Sequence, residues 1–69
     1  MIIVLAGNYQ QFMHYLREED LNPRVAVFAD GRMAYRGTTY TKEDIIVYGT
    51  FWERPDAGKL HEEVFRYAR

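Results

Sequence analysis

Residues 2–6, Ile-Ile-Val-Leu-Ala, form an apolar run with no polar interruption, and Gly7 closes it. A strand with one wet face alternates apolar and polar side chains, whereas a strand covered on both faces does not. A buried helix segment can also be apolar throughout. This run is short, β-branched and ended by glycine, which favours a strand. No basic segment precedes it and no small-residue cleavage site follows a longer apolar core, so it reads as part of the fold rather than a secretory signal. Two later runs share its character, Val25-Ala26-Val27-Phe28-Ala29 and Ile45-Ile46-Val47-Tyr48. Three doubly covered strands separated by helix-like or loop segments predict a small, mainly parallel α/β sheet.

Between the first two runs, Asn8 is a good helix N-cap, and Gln11 stands where a capping box reaches back. Tyr9, Phe12, Met13 and Leu16 repeat at helical spacing and give one apolar face, with Gln10, His14, Arg17 and Glu18 mostly opposite. Glu18-Glu19-Asp20 oppose the helix dipole, so the helix is expected to fray there, and Asn22-Pro23 ends it. A second strand, Arg24 to Ala29, runs into the turn signal Asp30-Gly31. Residues 32–43 read as an irregular crossover, with at most a short hairpin strand near 32–36. After the third strand Gly49 repeats the role of Gly7. Pro55-Asp56 then introduces a last helix with Leu60, Val64 and Tyr67 on one stripe. Ala57, His61, Phe65 and Ala68 lie beside that stripe, and Arg66 and Arg69 complement its dipole.

The order strand, helix, strand, crossover, strand, helix, with right-handed crossovers, gives a sheet ordered 2-1-3 with the first strand central. One helix falls on each face. The second crossover brings no helix of its own, so part of one face is thinly covered. Residues 1–69 read as a single domain.

Composition narrows the chemistry. The chain has neither serine nor cysteine, so a hydrolase triad, a disulfide and a thiolate metal site are all excluded, and a non-enzymatic role is expected. The lack of cysteine fits a reducing, cytoplasmic setting. A net charge of −1 supplies no long-range pull toward nucleic acid or an anionic membrane. No apolar run approaches the ~20 residues of a membrane span. Eleven aromatics (Trp52, four Phe and six Tyr) in a small sheet suggest apolar area hidden by self-association, most simply as a homodimer.

In a 2-1-3 sheet the connections leave strands 1 and 3 in opposite directions and open a crevice at their carboxyl ends, the usual ligand position. Gly7, Asn8 and Tyr9 would line one side, and Gly49, Thr50, Phe51, Trp52 and Arg54 the other. Free N–H groups at the first helix suit an anion such as phosphate, which Arg54 could pair while Trp52 stacks on a base. The bland reading is weightier: Gly7 permits a turn, Asn8 caps, and Trp52 packs on the last helix. A lone glycine is far weaker than a three-glycine fingerprint. Gly58-Lys59 is not a P-loop, because Glu53 stands where the first glycine belongs and Leu60 follows the lysine. His61-Glu62-Glu63 fails as HExxH because Phe65 replaces the second histidine. No metal and no cofactor are called for, and both histidines read as residues of solvated helix faces. Arg32, Tyr35, Arg36, Tyr40 and Lys42 interleave cations and rings as a nucleic-acid contact would. Asp30, Glu43 and Asp44 flank them and the domain is slightly acidic, which disfavours that reading.

Ala6-Gly7-Asn8-Tyr9 and Gly49-Thr50-Phe51-Trp52-Glu53-Arg54-Pro55-Asp56 together resemble the strand-initial turn and the "GT-aromatic-W-ERPD" segment of small Rossmann-like proteins from tailed phages of actinobacteria. The resemblance covers the two ends of the chain. It implies a Rossmann-like half-domain expressed in a bacterial host's cytoplasm and acting on a host protein. Asn8 stands where a small hydroxyl residue is expected, which tells against a phosphate loop. The leading expectation is therefore a phage-type protein-interaction module that binds a host or phage protein and self-associates through the thin face or the aromatic loop at 50–54. The alternatives are a nucleotide or phosphate ligand in the crevice and, behind it, accessory nucleic-acid binding.

Overall fold

β1 (Ile2–Ala6) lies at the centre of a three-stranded parallel sheet, flanked by β2 (Ala26–Phe28) and β3 (Ile45–Tyr48) in the order β2-β1-β3. A computed structural model describes residues 1–30, Gly37 and 39–69. The 2-1-3 order is thus found, and the short strand considered near 32–36 lies outside the described residues. Register aligns Ile3 with Val27 and Ile45, and Val4 with Phe28 and Ile46. Alternate residues of β1 therefore feed two separate cores.

On one face Val4 and Ala6 pack with Phe12 and Leu16 of helix α1 (Tyr9–Glu18). On the other, Ile3 and Leu5 pack with Phe51, Tyr40 and residues Ala57, Leu60 and Val64 of helix α2 (Ala57–Arg66). Ile3 to Ala6 are fully buried, the outcome expected of a run without polar alternation. All three strands run parallel, with α1 packed on one face and α2 on the other, giving a small Rossmann-like α/β fold.

Several local expectations shift. The second strand is shorter than Arg24 to Ala29, because Pro23–Val25 coil into a 3-10 turn capped by the Asn22 side chain, which accepts from Arg24 N–H at 2.8 Å. The end of α1 is closed by backbone hydrogen bonds. Asp20 takes φ +52°, Leu21 N–H donates to Leu16 O at 2.8 Å, and Asp20 N–H donates to Arg17 O at 3.2 Å. That is a Schellman close, with Leu21 packed onto the α1 core. Tyr9, placed on the apolar face by its spacing, is exposed, and so is Tyr67 of the last helix.

Tyr40 ties the chain ahead of β3 to the end of α2. Its ring is 1% exposed, its hydroxyl donates to Val64 O at 2.5 Å, and its carbonyl accepts from Arg69 N–H at 2.9 Å. The last carbonyls of a helix have no partner within it. Tyr40 supplies one to α2 from a distant part of the chain.

Candidate functional site

At the carboxyl end of the sheet, β1 runs into Gly7-Asn8 and β3 into Gly49-Thr50, and the Gln11 side chain lies between the two turns. Asn8 caps α1 as expected, its Oδ1 accepting from Gln11 N–H at 2.8 Å. The reciprocal half of the box is different. Gln11 Oε1 accepts from Gly7 N–H at 2.9 Å and from Thr50 N–H at 3.0 Å, while Gln11 Nε2 donates to Thr50 Oγ1 at 3.0 Å. One carboxamide thus joins the ends of β1 and β3.

Both glycines are required by that closeness. A Cβ on Gly7 would lie 2.2 Å from Thr50 Oγ1 and 2.5 Å from Gln11 Oε1. At Gly49 it would lie 2.3 Å from Gln11 Oε1, and the backbone there has φ +64°. Two N–H groups from different turns converge as they would on a phosphate oxygen, but a neutral side-chain oxygen already holds the position.

Arg54 closes the other side. Its Nε and Nη2 donate to the two carboxylate oxygens of Asp56, each at 2.9 Å, and Nη1 donates to Ala6 O at 3.1 Å and Ala29 O at 3.4 Å. The guanidinium also lies 5.7 Å from the Phe28 ring centre and 6.0 Å from that of Phe51. Its side chain is 16% exposed. The planar fork of arginine suits this mix of carboxylate, carbonyls and ring faces. Asp56 precedes α2 as expected of an N-cap, but its side chain makes no cap bond and serves Arg54 instead.

Trp52 is neither in the crevice nor buried under α2. It is 59% exposed, with its ring centre 5.0 Å from that of Phe51 and 5.0 Å from that of His61. His61 in turn lies 4.5 Å from Phe65. A ladder of rings therefore climbs the flank of α2, and His61 belongs to it rather than to a solvated face. Tyr9 is equally exposed at 60% and meets Phe12 and Phe28 at its inner edge.

Among the residues considered for nucleic acid, Tyr40 is in the core with its hydroxyl spent, so it offers no face to a base. Lys42 is exposed in a 3-10 turn, Lys42–Asp44. Arg32, Tyr35 and Arg36 lie outside the described residues. His14 pairs with Glu18 at 3.2 Å on an exposed flank. Among the described residues no three His, Cys, Asp or Glu side chains gather as metal ligands would, and no helix is long and apolar enough to cross a membrane.

Two groups matter that residue types alone did not single out. By residue type Gln11 reads as a local cap and Asp56 as a helix end; Gln11 instead reaches Thr50, 39 residues away, and Asp56 holds the nearby Arg54 whose guanidinium meets β1 and the end of β2. Burial, followed by the charge of Glu63, pushes the Tyr40 hydroxyl above its ordinary pKa. Burial, followed by Glu19, does the same to Tyr15.

Comparison with family models, with curated proteins and with solved structures found no match.

Proposed function

We propose that this chain is a non-enzymatic protein-interaction module that docks through the ring ladder Trp52–His61–Phe65. The observation that carries the reading is the filling of the carboxyl-end crevices by Gln11 and Arg54 while Trp52 is held outward. A ligand oxygen would have to displace Gln11 and leave its carboxamide without those partners. Trp52, by contrast, is an aromatic anchor of the kind that dominates protein interfaces, already ordered by contact on two sides. A second copy of the chain is the first partner to test. A phage or host protein is the other class of partner that the sequence resemblance implies.

The test joins Trp52 fluorescence during titration with ATP, GTP and inorganic phosphate to light-scattering mass over a range of protein concentrations. No fluorescence response is expected from any of the three. A saturable response to one of them would overturn the reading and place the function in the crevice. Mass that rises with concentration, and falls back in Trp52→Ala, would locate self-association on the ladder. A monomer throughout would leave the ladder to a different protein.

A further inference from the structure

The ring ladder contains one group that changes charge near neutral pH. His61 stands between Trp52, with ring centres 5.0 Å apart and planes tilted 43°, and Phe65, at 4.5 Å and 34°. It is half-buried, whereas Trp52 is exposed. The residues three and four places from His61 on α2 are its neighbours along the helix surface. They are Ala57, Gly58, Val64 and Phe65, and none carries a charge. A Cβ built on Gly58 would meet nothing within 4 Å, so the helix is bare beside the ladder.

The charged side chains of the two elements that bear the ladder are Glu53 in the 3-10 turn Phe51–Glu53 and Lys59, Glu62, Glu63 and Arg66 in α2. Glu62 is engaged by Arg66 at 3.2 Å, and Glu63 acts on Tyr40. Among the described residues no carboxylate forms an ion pair with His61. With His61 neutral, the ladder is an uncharged aromatic patch.

Such a patch is complementary to itself. Aromatic anchors pair with anchors across interfaces, and a two-fold contact sets the same patch of both chains together. A net charge of −1 raises little repulsion between two copies. A proton on His61 reverses this locally. The flanking rings favour the cation while water still reaches it. Burial strips that water, no carboxylate of its own chain takes its place, and the second copy brings the same charge. The effects of burial outweigh the attraction of the rings.

We infer that this chain pairs with a second copy through the ladder and that a proton on His61 undoes the pairing. The inference rests on the interaction-module reading and gives it a partner and a control. The paired form excludes the proton, so acid favours the separate chains. A histidine of ordinary pKa, about 6.5, that must be neutral to be buried weakens association about tenfold between pH 7.5 and 5.5. Overall charge cannot do the same. The chain has two histidines, and protonating both takes its formal charge from −1 to +1 without changing its size. His14, the other one, pairs with Glu18 on α1, which packs on the opposite face of the sheet from α2.

The experiment is sedimentation equilibrium of the full chain over a range of concentrations at about pH 7.5 and about pH 5.5. A dimer is expected at the higher pH, with a dissociation constant at least about tenfold larger at the lower. His61→Gln should associate alike at both, and His14→Gln should behave as the wild type. Circular dichroism checks that both variants keep the fold. A monomer at both pH values, association indifferent to pH, or a pH dependence that survives in His61→Gln would each overturn the inference. Any of these, with Trp52 silent to nucleotides, leaves the module reading standing and gives the ladder another partner or another control. A saturable nucleotide response at Trp52 would remove the reading and the inference together.

Discussion

Gln11 Oε1 accepts from Thr50 N–H at 3.0 Å across 39 residues of sequence. It accepts at the same time from Gly7 N–H. A residue of the first helical turn thereby ties together the two turns that would otherwise open the sheet's carboxyl end. The contact makes a structural joint of the place where open α/β sheets usually hold a ligand, and it can be dissected energetically.

Gln11→Ala removes the shared acceptor, leaving two N–H groups to partly available water. The expected loss is about 1–2 kcal/mol, read from the urea midpoint with an unchanged slope. Gly49→Ala adds two penalties, the left-handed backbone and the close approach of Cβ to Gln11. The backbone alone costs about 1–2 kcal/mol. The double variant separates them: Gly49→Ala should be milder in the Gln11→Ala background than in the wild type. Strict additivity would show that Gln11 does not set the space at Gly49.

Arg54 should not be replaceable by lysine. Lysine keeps the charge but cannot hold Asp56 bidentately while also reaching Ala6 O and Ala29 O. With Asp56 partly exposed, screening limits the ion-pair share, so the expected loss for Arg54→Lys is about 1–2 kcal/mol, most of it from the unsatisfied carbonyls. Equal thermal midpoints for the two proteins would show that the fork geometry contributes nothing.

Tyr40 makes stability fall in alkali. Its folded pKa is raised by burial and by Glu63, so the unfolded chain gives up that proton first. The stability linked to Tyr40 is complete below the unfolded tyrosine pKa of about 10 and is lost as pH rises from there through the folded value. Tyr40→Phe should flatten the decline above about pH 10. At neutral pH it should cost about 1–2 kcal/mol, because Val64 O loses its donor. Denaturant titrations at neutral and alkaline pH read both effects, and an unchanged alkaline slope would show that Tyr40 ionises freely in the fold.

Asp20 is the place where a substitution should stabilise. It adopts φ +52° at the Schellman close of α1, and its charge faces the negative end of the helix dipole. Asp20→Gly relieves the backbone and removes the charge, against a greater entropy of the unfolded chain. A net gain of about 0.5–1 kcal/mol is expected, seen as a higher melting temperature. A lower one would mean that the carboxylate is engaged at the turn.

Some of this molecule follows from its amino-acid order alone. Ile2 to Ala6 has no polar position to offer to water, so it had to be covered on both faces, and right-handed connections then leave one simple order for three parallel strands. Apolar period, caps and turn residues are local properties, and they placed α1, α2, Gly7, Gly49 and the Asn8 cap. The tertiary structure decided everything that depends on which distant groups meet. Gln11 finds Thr50, Arg54 finds Ala6 and Ala29, and Tyr40 finds Val64 only because the sheet and helices bring them together. Ile45 to Tyr48 shows the limit most clearly. Its four apolar residues read like those of β1, yet Val47 is exposed while Leu5 beside it is buried. Apolar period reports the two faces of a strand and carries no information about its edges, and whether an edge is covered is settled only by strand order.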